Sequence, residues 1–268
     1  MSLPEEQNPG RIWDCLSSAR NENALSMREI KSDYGTLRVG TLDETFRGMV
    51  DILRKAETEK NAPITVGLSG GSTPKAFYLW AAGKKKLPKT VWKNCLWLTS
   101  DERSAPLESD DSNFGNADRL MLTPLGVPAE AKIPWPVDLP PLFCAEAFNR
   151  TWNSRFGAKN CFDVCFLGMG DDGHTASLFP GCTLIGSSLA DNFAAVEWPG
   201  RGWRLTITQA GLARCARVVI VANGANKAAV LKAVLRGPYD PKILPSQIHK
   251  AYASRVTWLV DEAAAAEL

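Results

Sequence analysis

Among the 268 residues there are two histidines, His174 and His249. His174 stands in the segment Gly168-Met169-Gly170-Asp171-Asp172-Gly173-His174-Thr175-Ala176-Ser177-Leu178-Phe179-Pro180. A carboxylate and an imidazole two residues apart in a glycine-rich loop suit general-base chemistry. Histidine is the usual base near neutral pH, and a neighbouring carboxylate fixes an imidazole's tautomer and favours its charged form. The same segment has GxGxxG spacing, but a dinucleotide loop must receive a pyrophosphate at a helix start, where Asp171 and Asp172 would repel it. Pro180 and Gly181 also cut short the helix that would follow. His174 and Asp172 are therefore the leading catalytic candidates.

Three further segments carry charge or phosphate-binding potential. Ser100-Asp101-Glu102-Arg103 follows a strand pattern, and adjacent ionisable groups there are expensive to bury without a use. Arg103 offers a planar fork for a phosphate or carboxylate. Asp101 or Glu102 reads as an acid, a base or a partner for Arg103. Downstream, Asn113 and the polar residues before it either cap the next helix or reach a pocket. Ser69-Gly70-Gly71-Ser72-Thr73-Pro74 follows another strand. Its glycines let the backbone approach a ligand, Ser72 or Thr73 is placed to cap a helix, and Pro74 suits the first turn. The amides of Gly70, Gly71, Ser72 and Thr73 would form a phosphate cradle, although the GK[ST] ending of a Walker loop is missing. Lys227 lies in a helix's first turn, where the dipole disfavours a cation unless an anion binds nearby. Arg204 opens the strand pattern Arg204–Thr208.

The elements that must position these residues alternate. Strand patterns occur at Thr36–Val39, Ile64–Leu68, Leu96–Thr99, Val164–Leu167, Leu205–Thr208, Val218–Ala222 and Val256–Val260. Helical patterns span Leu42–Glu59, Thr73–Ala82, Leu142–Phe156 and Lys227–Leu235. Several strands are continuously apolar, as expected when both faces are buried. The alternation predicts a single α/β domain with a mostly parallel sheet and helices on both faces, Rossmann-like in character. In such sheets ligands bind where strands end and helices begin. Residues 1–34 read as an arm or extra helix and 35–268 as the domain. The proline-rich stretch Pro124–Pro141 reads as an ordered excursion.

Composition narrows the partners. A net charge of +2 with 45% apolar and 22% charged residues excludes a disordered chain and argues against a polyanion-binding face. No nucleic-acid or membrane partner is expected. The first 30 residues hold no apolar core of a secretory signal, and no apolar run approaches the ~20 residues of a membrane span. Seven cysteines without a CxxC pair read as reduced thiols in a cytoplasmic protein. No ligand cluster indicates a metal.

Taken together, Ser69–Pro74, Ser100–Arg103 with Ser112-Asn113, Leu167–Pro180, Arg204–Thr208, Gly224–Ala228 and Trp258–Ala263 resemble the 6-phosphogluconolactonase family, in that family's order, over roughly residues 35 to 268. The resemblance implies a deaminase/lactonase-type fold and hydrolysis of 6-phospho-D-glucono-1,5-lactone to 6-phosphogluconate in the oxidative pentose phosphate pathway. It requires no cofactor and no metal. The phosphate would dock on the Gly70–Thr73 backbone with Arg103 and Lys227, with Arg204 a further candidate and Asn113 lining the site. His174 would activate water, oriented by Asp172 or by Asp101, and the oxyanion donors stay open among loop amides and Arg103. The expected partner is a phosphorylated sugar lactone, and the chain a monomer or small homo-oligomer. Glucosamine-6-phosphate deaminase/isomerase shares the fold and much of the loop, but carries a glutamate where this chain has Phe179. A phosphosugar-sensing domain is the non-catalytic alternative.

Overall fold

The structure, a computed structural model, describes residues 27–60, 62–83 and 86–268. Its central sheet grows from the apolar runs. β3 (Ile64–Leu68) and β9 (Val218–Ala222) are buried along their whole length, as strands covered on both faces must be. β4 (Cys95–Thr99), β6 (Val164–Gly168), β10 (Val256–Asp261) and β2 (Gly35–Gly40) complete the parallel part, and β1 (Arg28–Ser32) pairs antiparallel with β2 at the edge. The order is β1-β2-β10-β9-β6-β3-β4. The sheet thus begins at Arg28, inside the segment read as an arm. The rest of that arm, residues 1–26, lies outside the described residues.

Two hydrophobic cores cover the two faces. One receives α1 (Leu42–Lys60), α2 (Ser72–Ala82), α3 (Lys89–Trp92) and α4 (Asn113–Ala117), through Phe46, Phe77, Val91 and Phe114 among others. After α4 the chain continues through a π-helical turn, Asp118–Leu122, into the short α5 (Thr123–Leu125). The other face receives α6 (Pro141–Phe156), α7 (Gln209–Arg214) and α8 (Ala228–Arg236), through Phe148, Leu212 and Leu231. α1 starts where its sequence says it should. The Thr41 amide donates to Glu44 Oε2 at 2.7 Å and the Glu44 amide to Thr41 Oγ1 at 3.2 Å, a reciprocal cap. The proline-rich excursion is pinned by Trp135, whose buried ring stacks on Phe148 and whose Nε1 donates to the Thr99 carbonyl at 3.1 Å.

One strand lies elsewhere than the alternation alone implies. β8 (Gly202–Ile207) does not join the parallel sheet. It forms the centre of a second, three-stranded antiparallel sheet with β5 (Asp101–Arg103) and β7 (Phe193–Trp198). The reason is visible in β8: Leu205 and Ile207 are buried in the core while Arg204 and Thr206 alternate with them, the two-faced pattern of an antiparallel strand.

The parallel sheet reverses winding between β3 and β6. From β3 the chain passes to β4 on one side, and from β6 to β9 on the other. Loops leaving neighbouring strands in opposite directions open a crevice at the strand ends. The loops beginning at Ser69 and at Met169 leave from those two ends.

Candidate active site

A cavity of about 250 Å³ fills that crevice. One wall is the loop after β3. Gly71 adopts φ +105°, outside the range of ordinary L residues, and no side chain caps α2. Ser72 and Thr73 are therefore the first residues of the helix rather than its caps. Their amides stay available at the positive helix end, as an anion site requires. Gly70 has a separate reason. A Cβ there would stand 1.8 Å from Asn113 Oδ1, so the glycine admits Asn113 to the cavity lining.

The second wall is the loop after β6. The ring of His174 folds back over Gly170, where a Cβ would lie 2.0 Å from Nδ1. Asp172 Oδ1 holds His174 twice, accepting from its amide at 3.1 Å and lying 2.6 Å from Nδ1. Nε2 is left for the cavity. Burial alone would raise the Asp172 carboxyl, but the His174 amide and ring outweigh it and hold it below the ordinary carboxylate value. Ala176, the one described non-glycine residue with positive φ (48°), turns the chain so that Ser177 also lines the cavity. Asp171 sits at the rim, 2.5 Å from Lys227 Nζ and 2.9 Å from Asn226 Nδ2, and the Lys227 ammonium lowers its carboxyl.

The third wall is the small antiparallel sheet. Residues directly opposite in an antiparallel pair share a face. The register pairs Asp101 with Thr206, Arg103 with Arg204, and Trp198 with Gly202. One face therefore presents Asp101, Arg103, Arg204 and Trp198 to the cavity. Two arginines directly opposite repel each other, an arrangement that a bound anion relieves. Burial and the neighbouring Arg103 lower the Arg204 guanidinium.

Period-two alternation also separates the two carboxylates that the sequence left interchangeable. Asp101 faces the cavity, while Glu102 turns away and is fully buried. Glu102 accepts from the amides of Arg103 (2.7 Å), Asn113 (2.6 Å) and Phe114 (2.7 Å), tying β5 to the start of α4. Burial pushes its carboxyl up to about 7 against those bonds. The two aspartates also differ in their contact with the imidazole. Asp172 touches His174, whereas Asp101 Oδ2 accepts from Ser177 Oγ at 2.9 Å.

Every residue proposed from the sequence lies at this site. Gly70, Gly71, Ser72, Thr73, Asp101, Arg103, Asn113, His174, Arg204 and Lys227 line the cavity, and Asp172 stands behind His174. Ser177 and Trp198 are among the lining residues that the sequence did not single out. Ser177 lay unnoticed inside the histidine segment. Trp198 ends β7, a strand with no strong sequence signal; it meets His174 edge-on at 5.1 Å and stacks on Phe179 at 4.7 Å. Among the described residues no cluster of three or more His, Cys, Asp or Glu could hold a metal, and no helix is long and apolar enough to cross a membrane.

Comparison with known proteins agrees with the geometry. The family described as glucosamine-6-phosphate isomerases/6-phosphogluconolactonase matches residues 41–258. A 6-phosphogluconolactonase of Haemophilus influenzae is 30% identical over 209 residues, 77% of this chain and 88% of the relative. One from Nostoc is 34% identical over 224 residues, 81% and 90% of the two chains. The solved 6-phosphogluconolactonase of Trypanosoma cruzi superposes with a TM-score of 0.74 at 23% identity, over 91% of this chain and 99% of that one, and so speaks for the fold.

Proposed function

The chain belongs to the glucosamine-6-phosphate isomerase/6-phosphogluconolactonase family, and from that premise we infer that it is the hydrolytic member. It converts 6-phospho-D-glucono-1,5-lactone and water to 6-phosphogluconate, a step of the oxidative pentose phosphate pathway. The observation carrying this reading is the Asp172–His174 pair beside a cavity lined by Arg103, Arg204 and Lys227.

The phosphate docks on the amides of Gly70 to Thr73, with Lys227 and Arg103 closing on it and Arg204 beside Arg103. Each charge-assisted hydrogen bond contributes about 1.5–3 kcal/mol, and this binding far from the reacting carbon fixes the lactone carbonyl. His174, held by Asp172, takes a proton from water as the oxygen attacks C1. The tetrahedral intermediate collapses, the bond from C1 to the ring oxygen breaks, and the imidazolium returns its proton to that oxygen. Base catalysis of this kind is worth about 10²–10⁴-fold.

The isomerase reading is disfavoured by Phe179. It is buried and stacked on Trp198, where the resemblance places a glutamate in the deaminases. A coupled assay following loss of freshly made lactone tests the function, with ammonia release from glucosamine 6-phosphate as the counter-measurement. Lactone turnover without ammonia is expected; the reverse would transfer the chain to the isomerases. In Lys227→Ala, KM should rise about tenfold or more with kcat little changed. An unchanged KM would remove Lys227 from the phosphate clamp. We place the enzyme in the cytoplasm, whose reducing conditions suit the six cysteines among the described residues, all free and buried.

A further inference from the structure

Asp101 is not accounted for by the scheme above. Its side chain is 6% exposed, lines the cavity, and uses one oxygen, Oδ2, to accept from Ser177 Oγ at 2.9 Å. Oδ1 is buried and has no hydrogen-bond partner. No ion pair to Asp101 forms among the described residues. An ionised carboxylate so placed would leave a charged oxygen out of water with no donor, a costly arrangement. A neutral carboxyl resolves it: Oδ2 is the carbonyl oxygen that accepts from Ser177, and Oδ1 carries the proton.

We propose that Asp101 acts as a neutral carboxylic acid whose Oδ1–H hydrogen-bonds the lactone carbonyl oxygen and holds the oxyanion formed there. The inference rests on lactone hydrolysis as the reaction. As water adds to C1 and gives its proton to His174, the carbonyl π pair moves onto oxygen, and Asp101 donates to the resulting alkoxide. When the C1–ring oxygen bond breaks, that pair re-forms the C=O, the ring oxygen takes the proton from His174, and Asp101 keeps its own. A carboxyl in a low-dielectric site serves such a role because donors aimed at developing charge gain most where water is excluded.

The surroundings are consistent with this state. Burial raises the Asp101 carboxyl, while the Ser177 hydrogen bond and the charges of Arg103, His174 and Arg204 act the other way. Tyr78 of α2, Glu102 of β5 and Cys165 of β6 are further titratable groups near it, and burial raises the Tyr78 phenol and the Cys165 thiol too. Activity should therefore fall as rising pH ionises Asp101.

The test uses the full chain and fresh lactone, with kcat measured against pH for wild type, Asp101→Asn and Asp101→Ala. Asparagine keeps a donor without the charge, so it should stay within about tenfold of wild type and lose the alkaline fall. Alanine should lose about 10²–10³-fold, the usual cost of one oxyanion donor. Asp101→Asn as slow as Asp101→Ala, with both melting like wild type, would show that the ionised form is needed and overturn the proposal. So would Asp101→Ala within threefold of wild type. Should Asp101→Asn fail to fold, a wild-type profile with no alkaline fall overturns it by itself. A wild-type chain that leaves the lactone untouched would instead overturn the reaction, and this inference with it.

Discussion

Both histidines adjoin Thr175, His174 as its neighbour in the chain and His249 across the fold, and they have similar aromatic neighbours. His174 meets Trp198 edge-on at 5.1 Å; His249 meets Tyr252 edge-on at 5.6 Å and Trp258 at 6.0 Å. Their polar partners differ. His174 is partly exposed and held by the Asp172 carboxylate. His249 is fully buried in a 3₁₀ segment, Pro245–Arg255, with Tyr252 Oη 2.9 Å from Nδ1 and Thr175 Oγ1 3.4 Å from Nε2. Burial without an anion drives its pKa down to about 3, so it stays neutral at every physiological pH. Aromatic contact does not distinguish the two; access to the cavity and a carboxylate partner do. His249 instead braces the loop that carries His174, through Thr175.

The largest expected effect falls on His174. His174→Ala should lower kcat by about 10²–10⁴-fold while the melting temperature stays near wild type, since the ring is not a packed core element. Normal turnover in that variant would erase the contrast between the two sites. Asp172→Asn keeps the size of the side chain but removes the charge that stabilises the imidazolium. Its kcat should fall, by less than in His174→Ala and with KM little altered; a change confined to KM would place Asp172 in substrate binding instead.

For His249 the expectation is one of stability. Its pKa is near 6.5 in the unfolded chain and about 3 in the folded one. The unfolded state thus binds more protons between those values, and stability is full above about 6.5 and lost as pH falls toward 3. The slope from this one group is at most about 1.4 kcal/mol per pH unit. Thermal melts of His249→Gln should show a flatter acid dependence than wild type, with kcat at neutral pH largely retained. An unchanged acid dependence would mean that other groups govern it. The smallest effect belongs to Trp198→Leu, which removes the ring contacts to His174 and Phe179. Melting should report a loss of about 0.5–1.5 kcal/mol per aromatic pair, and no loss would show that the ring stacks without stabilising.

Much of this was legible before folding. Continuous apolar runs such as Ile64–Leu68 and Val218–Ala222 are readable because burial on both faces demands them. The loops at Gly70, Asp101, Asp172 and Lys227 follow those runs directly, so the strand ends that carry chemistry could be located. β7 was harder to see: Phe193–Trp198 is short and mixed in character, and it took its place by pairing with β8 at a distance in space no local pattern encodes. Trp198 went unseen with it.

The sequence by itself placed most strands of the parallel sheet, the Asp172–His174 juxtaposition and the glycine loop after β3, because these depend on local spacing: Asp172 and His174 are two residues apart, and Gly71 needs a conformation that glycine favours. Only the tertiary structure decided where each carboxylate points and what it meets. The β5–β8 register turns Asp101 into the cavity and Glu102 away from it, and Ser177, 76 residues on, donates to the Asp101 carboxyl. Ionisation depends on burial and partners, and both are set by chain segments that meet only after folding.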